Sequence, residues 1–393
     1  MQALKVLGVG FTLFWLFGLP GGSRAATNSS PVHAAVTGNV ADRIPREPSV
    51  SSDAYLPLWK KEPPNIADLA LIYQGGLQRP AWTEQRFAPY VTYRDPRSSK
   101  EEWLFDGFLF LEFADGRGHT YEPGRDLIPA RQTDWLWLLD RNFGPEDGLT
   151  QLERACHDAA RRIGKPVRRR QVLLTIPTPI PGQTNWGHSN GRKLDFGIQA
   201  DRLAACDWFL ETALARWKAL APQQLDLAGF YWLHESAPRS TEFLQAVAKL
   251  VHARNKNFFW IPYWQPIPPG HNWREYGFDA AWQQPNHFFH PELPDSRLRQ
   301  ACDFARQRGM GLEMEFDSRL LSRADVFAPR LEAYLDVFTT NGVADASSIA
   351  WYEGGGTFFE LADSSLAETR QRYERLAGFI LRRQHLADQR STR

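Results

Sequence analysis

Gly311-Leu312-Glu313-Met314-Glu315-Phe316-Asp317 reads as a strand with three acids on one face and Leu312, Met314 and Phe316 on the other, because side chains alternate across an extended backbone. Such a pattern suits a strand with one wet face, so its meaning depends on what lies on either side. Seven other strand-like runs accompany it: Leu69–Gln74, Leu104–Phe113, Val172–Pro177, Leu227–Glu235, Phe258–Trp264, Phe278–Gln284 and Ser348–Glu353. Helical patterns separate them at Trp82–Tyr90, Leu149–Ile163, Gln199–Leu220, Thr241–Asn255, Ser296–Arg308, Val326–Asn341 and Ser365–Leu386. Strand and helix in alternation specify parallel pairing with right-handed crossovers, and eight such units predict a closed (β/α)8 TIM barrel. An open doubly wound sheet would carry a glycine-rich phosphate turn after an early strand, and Gly75-Gly76 lacks that spacing.

Inside a closed barrel the seventh strand meets water only at its mouth, so at least one acid of the 311–317 run is expected to face substrate. The fourth run ends in the same way: Tyr231, Leu233 and Glu235 share a face, and the charge falls at the strand's C-terminal end, where barrels of this kind build their active sites. Cleavage of a glycosidic bond needs two carboxyl groups, one to protonate the leaving oxygen and one to act as nucleophile or base. Glu235 is the expected acid and Glu315 its partner, with Glu313, one layer deeper, as the alternative second carboxylate or as a residue that holds an arginine or tyrosine. Retention or inversion depends on whether the two carboxyls lie about 5 to 5.5 Å or about 6.5 to 9.5 Å apart.

The other strand ends supply side chains suited to sugars: Tyr73, Glu112, Tyr231, His234, Tyr263, Trp264, Gln284, Asn286, Asp317, Trp351 and Glu353. Flat rings cover the C–H faces of pyranoses, and amides and carboxylates satisfy hydroxyls. Glu112 is equally suited to a salt bridge with a loop arginine such as Arg117, and Asp106 to a structural role. Two long polar stretches, 114–148 after the second strand and 178–198 after the third, exceed the roughly 12 to 15 residues of an ordinary loop and fall on the same face. Trp186 in the latter is a candidate sugar platform, or else the anchor of its loop.

Lys5, the apolar stretch Val6–Leu19 and Ser23-Arg24-Ala25 form a signal-peptide pattern over residues 1–25. The stretch, broken by glycines and Pro20, falls short of the roughly 20 residues that span a bilayer. A flexible segment is expected at 26–52 and a single barrel domain over 53–393. The mature protein is expected in the periplasm or outside the cell, as a monomer free of the membrane.

The formal net charge of +1 and the lack of a long basic block exclude the electrostatic footprint of a nucleic-acid binder. Cys156, Cys206 and Cys302 sit in helical patterns and read as buried thiols. There is no H-x-H strand, no H-E-x-x-H helix and no G-x-S-x-G turn, so neither a metal nor a serine nucleophile is expected, and no cofactor.

Several segments resemble the bacterial domain of unknown function 4855 family: Phe105-Asp106-Gly107-Phe108-Leu109-Phe110-Leu111, Gly229-Phe230-Tyr231-Trp232 with Glu235, Trp260-Ile261-Pro262-Tyr263, Gly277-Phe278-Asp279 with Gln284-Pro285-Asn286, and Glu313–Asp317. The resemblance runs from about Leu69 to the last helix. It implies a glycosidase-like barrel in exported bacterial proteins and no particular substrate. The sequence therefore points to an exported glycoside hydrolase acting on a polysaccharide or oligosaccharide. Its rival is a noncatalytic carbohydrate-binding or cell-envelope protein on the same barrel.

Overall fold

A computed structural model describes residues 53–60, 66–236, 240–265 and 269–391; the expected signal peptide and the segment 26–52 lie outside the described residues. Eight parallel strands close on themselves. They are β1 Asp68–Tyr73, β2 Gly107–Leu111, β3 Arg170–Ile176, β4 Leu225–Trp232, β5 Asn257–Trp260, β6 Ala280–Gln283, β7 Gly311–Glu315 and β8 Ile349–Tyr352. Closure comes from β1 pairing with both β2 and β8, Leu69 lying opposite Gly107 on one side and Ala350 on the other. Each expected strand is present, with ends trimmed by one to four residues where the chain bends out of the ladder at the mouth.

The wall is built by α1 Glu84–Val91, α2 Gln132–Asn142, α3 Leu149–Ile163, α4 Gln199–Leu220, α5 Thr241–His252, α6 Ser296–Arg308, α7 Ala324–Thr340 and α8 Ala367–Ser391. On α3 the buried Leu149, Leu152, Cys156 and Ala159 recur at three- and four-residue spacing, the stripe that seats a helix on a sheet. All three cysteines are free and buried. The stretch 114–148, expected to be loop, contains α2, because Trp135, Leu138 and Leu139 form a face of their own that packs on Trp186 and Phe209. No described helix is long and apolar enough to cross a membrane.

Two local features shape the barrel. In β4 the register slips between Leu227 and Gly229, and a Cβ at Gly229 would lie 1.9 Å from the Asn257 carbonyl oxygen, so only glycine permits this approach. At the N-terminal ends of the strands, Arg383 of α8 is fully buried. Its guanidinium bonds Asp68 at 2.7 Å and four carbonyl oxygens, of Ala67, Val343, Ala344 and Ser347. It thereby ties the last helix to the β1–β8 seam. Replacing Arg383 by Met is expected to destabilise the fold by about 3–5 kcal/mol, since Asp68 would stay buried without its cation; urea unfolding measures it, and a loss below about 1 kcal/mol, the value of a surface pair, would contradict this assignment.

Candidate active site

Strand parity brings the acids together. Glu313 lies opposite Ala350 and Glu315 opposite Tyr352, and the Tyr352 ring meets Tyr73 of β1 edge-on at 5.6 Å inside the mouth. Glu313 and Glu315 thus point inward, while Trp351, one residue from Tyr352, points outward. Glu235 lies three residues past β4, partly exposed, with its backbone carbonyl accepting from Tyr263 N at 3.1 Å.

The three carboxyls differ in support. Glu315 is buried and accepts from Asn286 N at 2.8 Å, His287 N at 3.0 Å and the Tyr334 hydroxyl, with Phe288 N adding a fourth donor. Burial raises its pKa and these donors oppose the rise. Glu235 is pushed up to about 8, chiefly by burial and then by the like charge of Glu122; a hydrogen bond from Gln284 and the charge of Arg125 oppose, and Glu315 adds to the rise. Glu313 is driven well above the carboxylate range by burial, then by Glu315 and Glu235. Glu315 is thus the carboxyl of the three whose anion the protein supports with hydrogen-bond donors, while Glu235 retains its proton near neutrality.

Around them, the Tyr263 hydroxyl accepts from Asn286 Nδ2 at 2.6 Å, and Tyr263 lies within electrostatic reach of Glu315 and Glu235. Tyr231 reaches Glu235 and Glu313 in the same sense, as does Tyr73. His234 Nδ1 sits 3.3 Å from Glu122 Oε2, so the β4 end is held by the loop that follows β2. Asp317 is paired with Arg319 at 2.7 Å. The Trp264 ring leans on Phe304 and Arg297 of α6.

Four expected ligands are corrected. Trp186 is buried among Trp135, Phe196 and Trp208 and anchors its loop. The Trp351 ring packs on Phe105 and Phe379 while its indole N–H donates to Asp68 at 3.0 Å, the outward position that alternation dictates. Glu353 spends both oxygens on the N–H groups of Gly355, Gly356 and Phe358, fixing the turn after β8. Glu112 is salt-bridged at 2.6 Å, to Arg79 rather than Arg117.

Glu122, Arg125, Arg79, Tyr334 and Tyr352 were absent from the expected set. Tyr352 follows from its register with Glu315; the others reach the mouth from loops or from the helical wall, which no strand periodicity marks. Among the described residues, Asp115, His119 and Asp134 form the one group with metal-donor geometry. Arg117 already bonds both carboxylates, at 3.0 and 3.4 Å, so a cation occupies the role a metal would take.

A sequence profile described as domain of unknown function (DUF4855) matches residues 68–378. No curated protein matches the chain. Among solved structures, the chain is similar to a candidate alpha-L-fucosidase from Bacteroides thetaiotaomicron, at 14% identity over 88% of this chain and 99% of that one, TM-score 0.41. It is also similar to a mutant protein in complex with xylotriose, at 11% identity over 70% and 88%, TM-score 0.34. A third is the carboxyl transferase domain of Rhizobium etli pyruvate carboxylase, at 11% identity over 81% and 48%, TM-score 0.34. At such scores none of these likenesses bears on the reaction.

Glu235 makes stability depend on pH in a definite sense. With its native pKa raised to about 8 from 4.5, the folded state holds a proton that the unfolded chain releases, so this group's contribution falls as pH rises through that window. Glutamine has no proton to lose. The melting temperature of Glu235→Gln relative to the parent should therefore climb between about pH 5 and pH 8; a difference that is flat or falls would contradict the assigned environment.

Proposed function

Because the chain belongs to the DUF4855 family, whose name assigns no reaction, we propose its activity from the carboxyls at the barrel mouth: it is an exported glycoside hydrolase. The observation that supports this most is the unequal footing of two inward acids, Glu235 kept protonated by burial and by Glu122, and Glu315 fed by four donors. Pairs of titratable groups whose surroundings set their protonation apart are how one site supplies both acid and base.

In the proposed reaction, Glu235 passes its proton to the glycosidic oxygen as the bond to the anomeric carbon breaks. Glu315, as carboxylate, meets the positive charge developing at that carbon. Water then supplies the new hydroxyl, and its proton returns to Glu235. Gln284 lies beside Glu235, and Asn286 lies beside Glu315 and donates to Tyr263; these groups offer hydrogen bonds to ring hydroxyls. Tyr352, partly exposed at the end of β8, offers an apolar face.

Reducing-sugar release from a panel of bacterial and plant polysaccharides tests the proposal. Glu235→Gln and Glu315→Gln, folded by circular dichroism, should each lose about a hundredfold to ten-thousandfold in turnover. Retained glycan binding with no release by the parent protein would favour the noncatalytic barrel instead. The profile of kcat/KM should fall above pH about 8 as Glu235 loses its proton. Glu122→Gln should move that limb to lower pH, because a like charge beside the acid is gone; an unmoved limb would remove Glu122 from the account.

A further inference from the structure

Glu313 is the inward acid that the two-carboxylate reaction leaves unused. It sits two residues deeper than Glu315 on β7 and is 3% exposed. No protein hydrogen bond to its carboxyl is found among the described residues. The groups facing it are Tyr73 from β1, Tyr231 and Glu235 from β4 and its extension, Glu315 on its own strand, Tyr334 from α7 and Tyr352 from β8. None is a cation. The arginines nearest the rim are engaged by other acids: Arg79 by Glu112, Arg125 by Glu122 and Arg319 by Asp317.

A carboxylate placed there would be buried beside two like groups and, among the described residues, without a donor, a state that burial and like charge both disfavour. The donors of this region are spent on Glu315 instead. What remains is a carboxylic acid whose O–H has no acceptor among the described residues, so that a ligand atom can supply one.

We propose that Glu313 is held as a neutral acid and donates a hydrogen bond to a hydroxyl oxygen of an uncharged sugar ring seated on the floor of the mouth. This rests on the glycosidase reading and deepens it by naming the substrate class. A ring bearing a carboxylate or sulfate would meet three carboxyls there and, among the described residues, no cation that is not already engaged by another acid, so the reacting unit is a neutral one. Glu313 is in this account a substrate-binding group whose charge is never used, which separates it from Glu235 and Glu315.

Two variants and one spectroscopic measurement decide it. Glu313→Gln keeps a donor of the same shape but a weaker one, so it should lose a few fold in kcat/KM on a neutral oligosaccharide, less than Glu313→Met, and keep the parent's pH profile. Glu313→Met removes the donor and should lose about tenfold or more, with a melting temperature no lower than the parent's. A Glu313→Gln as inactive as Glu315→Gln, or a fully active Glu313→Met, would overturn the assignment. Infrared difference spectra of parent against Glu313→Gln at neutral pH should show a protonated-carboxyl C=O band lost in the variant, and its absence would overturn the neutral state whether or not any substrate is found. The substrate class is read by offering xylan, mannan and β-glucan oligosaccharides beside polygalacturonate and alginate fragments, with affinities measured on the Glu235→Gln protein. Preference for the neutral set is expected, and preference for the uronates would overturn it. Failure of the parent to cleave any glycan defeats the hydrolase reading alone. The weaker binding of neutral oligosaccharides by Glu313→Met than by the parent then still reads the donor contact.

Discussion

A closed parallel barrel gives its inward side chains one route to water, through the mouth, and everything at this site follows from that constraint. Acids on the inward face of β7 and beyond the end of β4 have no outer surface on which to be solvated. They must share one small, tyrosine-lined space. The fold tolerates the crowding because hydrogen-bond donors are distributed unequally: the backbone N–H groups after β6 and the Tyr334 hydroxyl converge on Glu315, and Glu313 receives none. The donors favour the anion of one carboxyl while burial disfavours the anions of its neighbours, and that asymmetry is what acid–base chemistry at a single bond requires.

The rim repeats a different solution to the same problem. Arg79 lies over the Tyr73 ring at 4.6 Å and pairs with Glu112; Arg125 lies over Phe113 at 4.5 Å and pairs with Glu122; Arg319 lies over Phe289 at 5.0 Å and pairs with Asp317. Each paired arginine lies over an aromatic ring, so the loops are tied together at the entrance while each cation is matched by an acid. Glu122 belongs to both layers. It pins Arg125 and His234, and its charge acts on Glu235.

Eight strands and seven of the eight longer helices were legible in the sequence because each had a period of its own, and so was the inward placement of Glu313 and Glu315, which needs only alternation and closure. Alternation also placed Trp351 on the outer face; weighing it as a sugar ligand let residue type outweigh parity. Trp186 proved the anchor of its loop, the second of its two readings, and α2 fell in a stretch expected to be loop, since a helix wedged between polar loops shows its apolar face only where Trp135 and Trp186 pack. The partners Arg79, Glu122 and Tyr334 left no periodic mark: they arrive from loops and from α7, and their proximity to the acids is a product of the whole fold.

The most direct test of the divided protonation is a carboxyl-carbon NMR titration of glutamate-labelled protein, with resonances assigned by their disappearance in Glu235→Gln and Glu315→Gln. The Glu235 resonance should titrate at about 8, after that of Glu315 has already moved to its ionised position. A Glu235 that ionises in the ordinary carboxylate range, or a Glu315 that holds its proton longer than Glu235, would contradict the account.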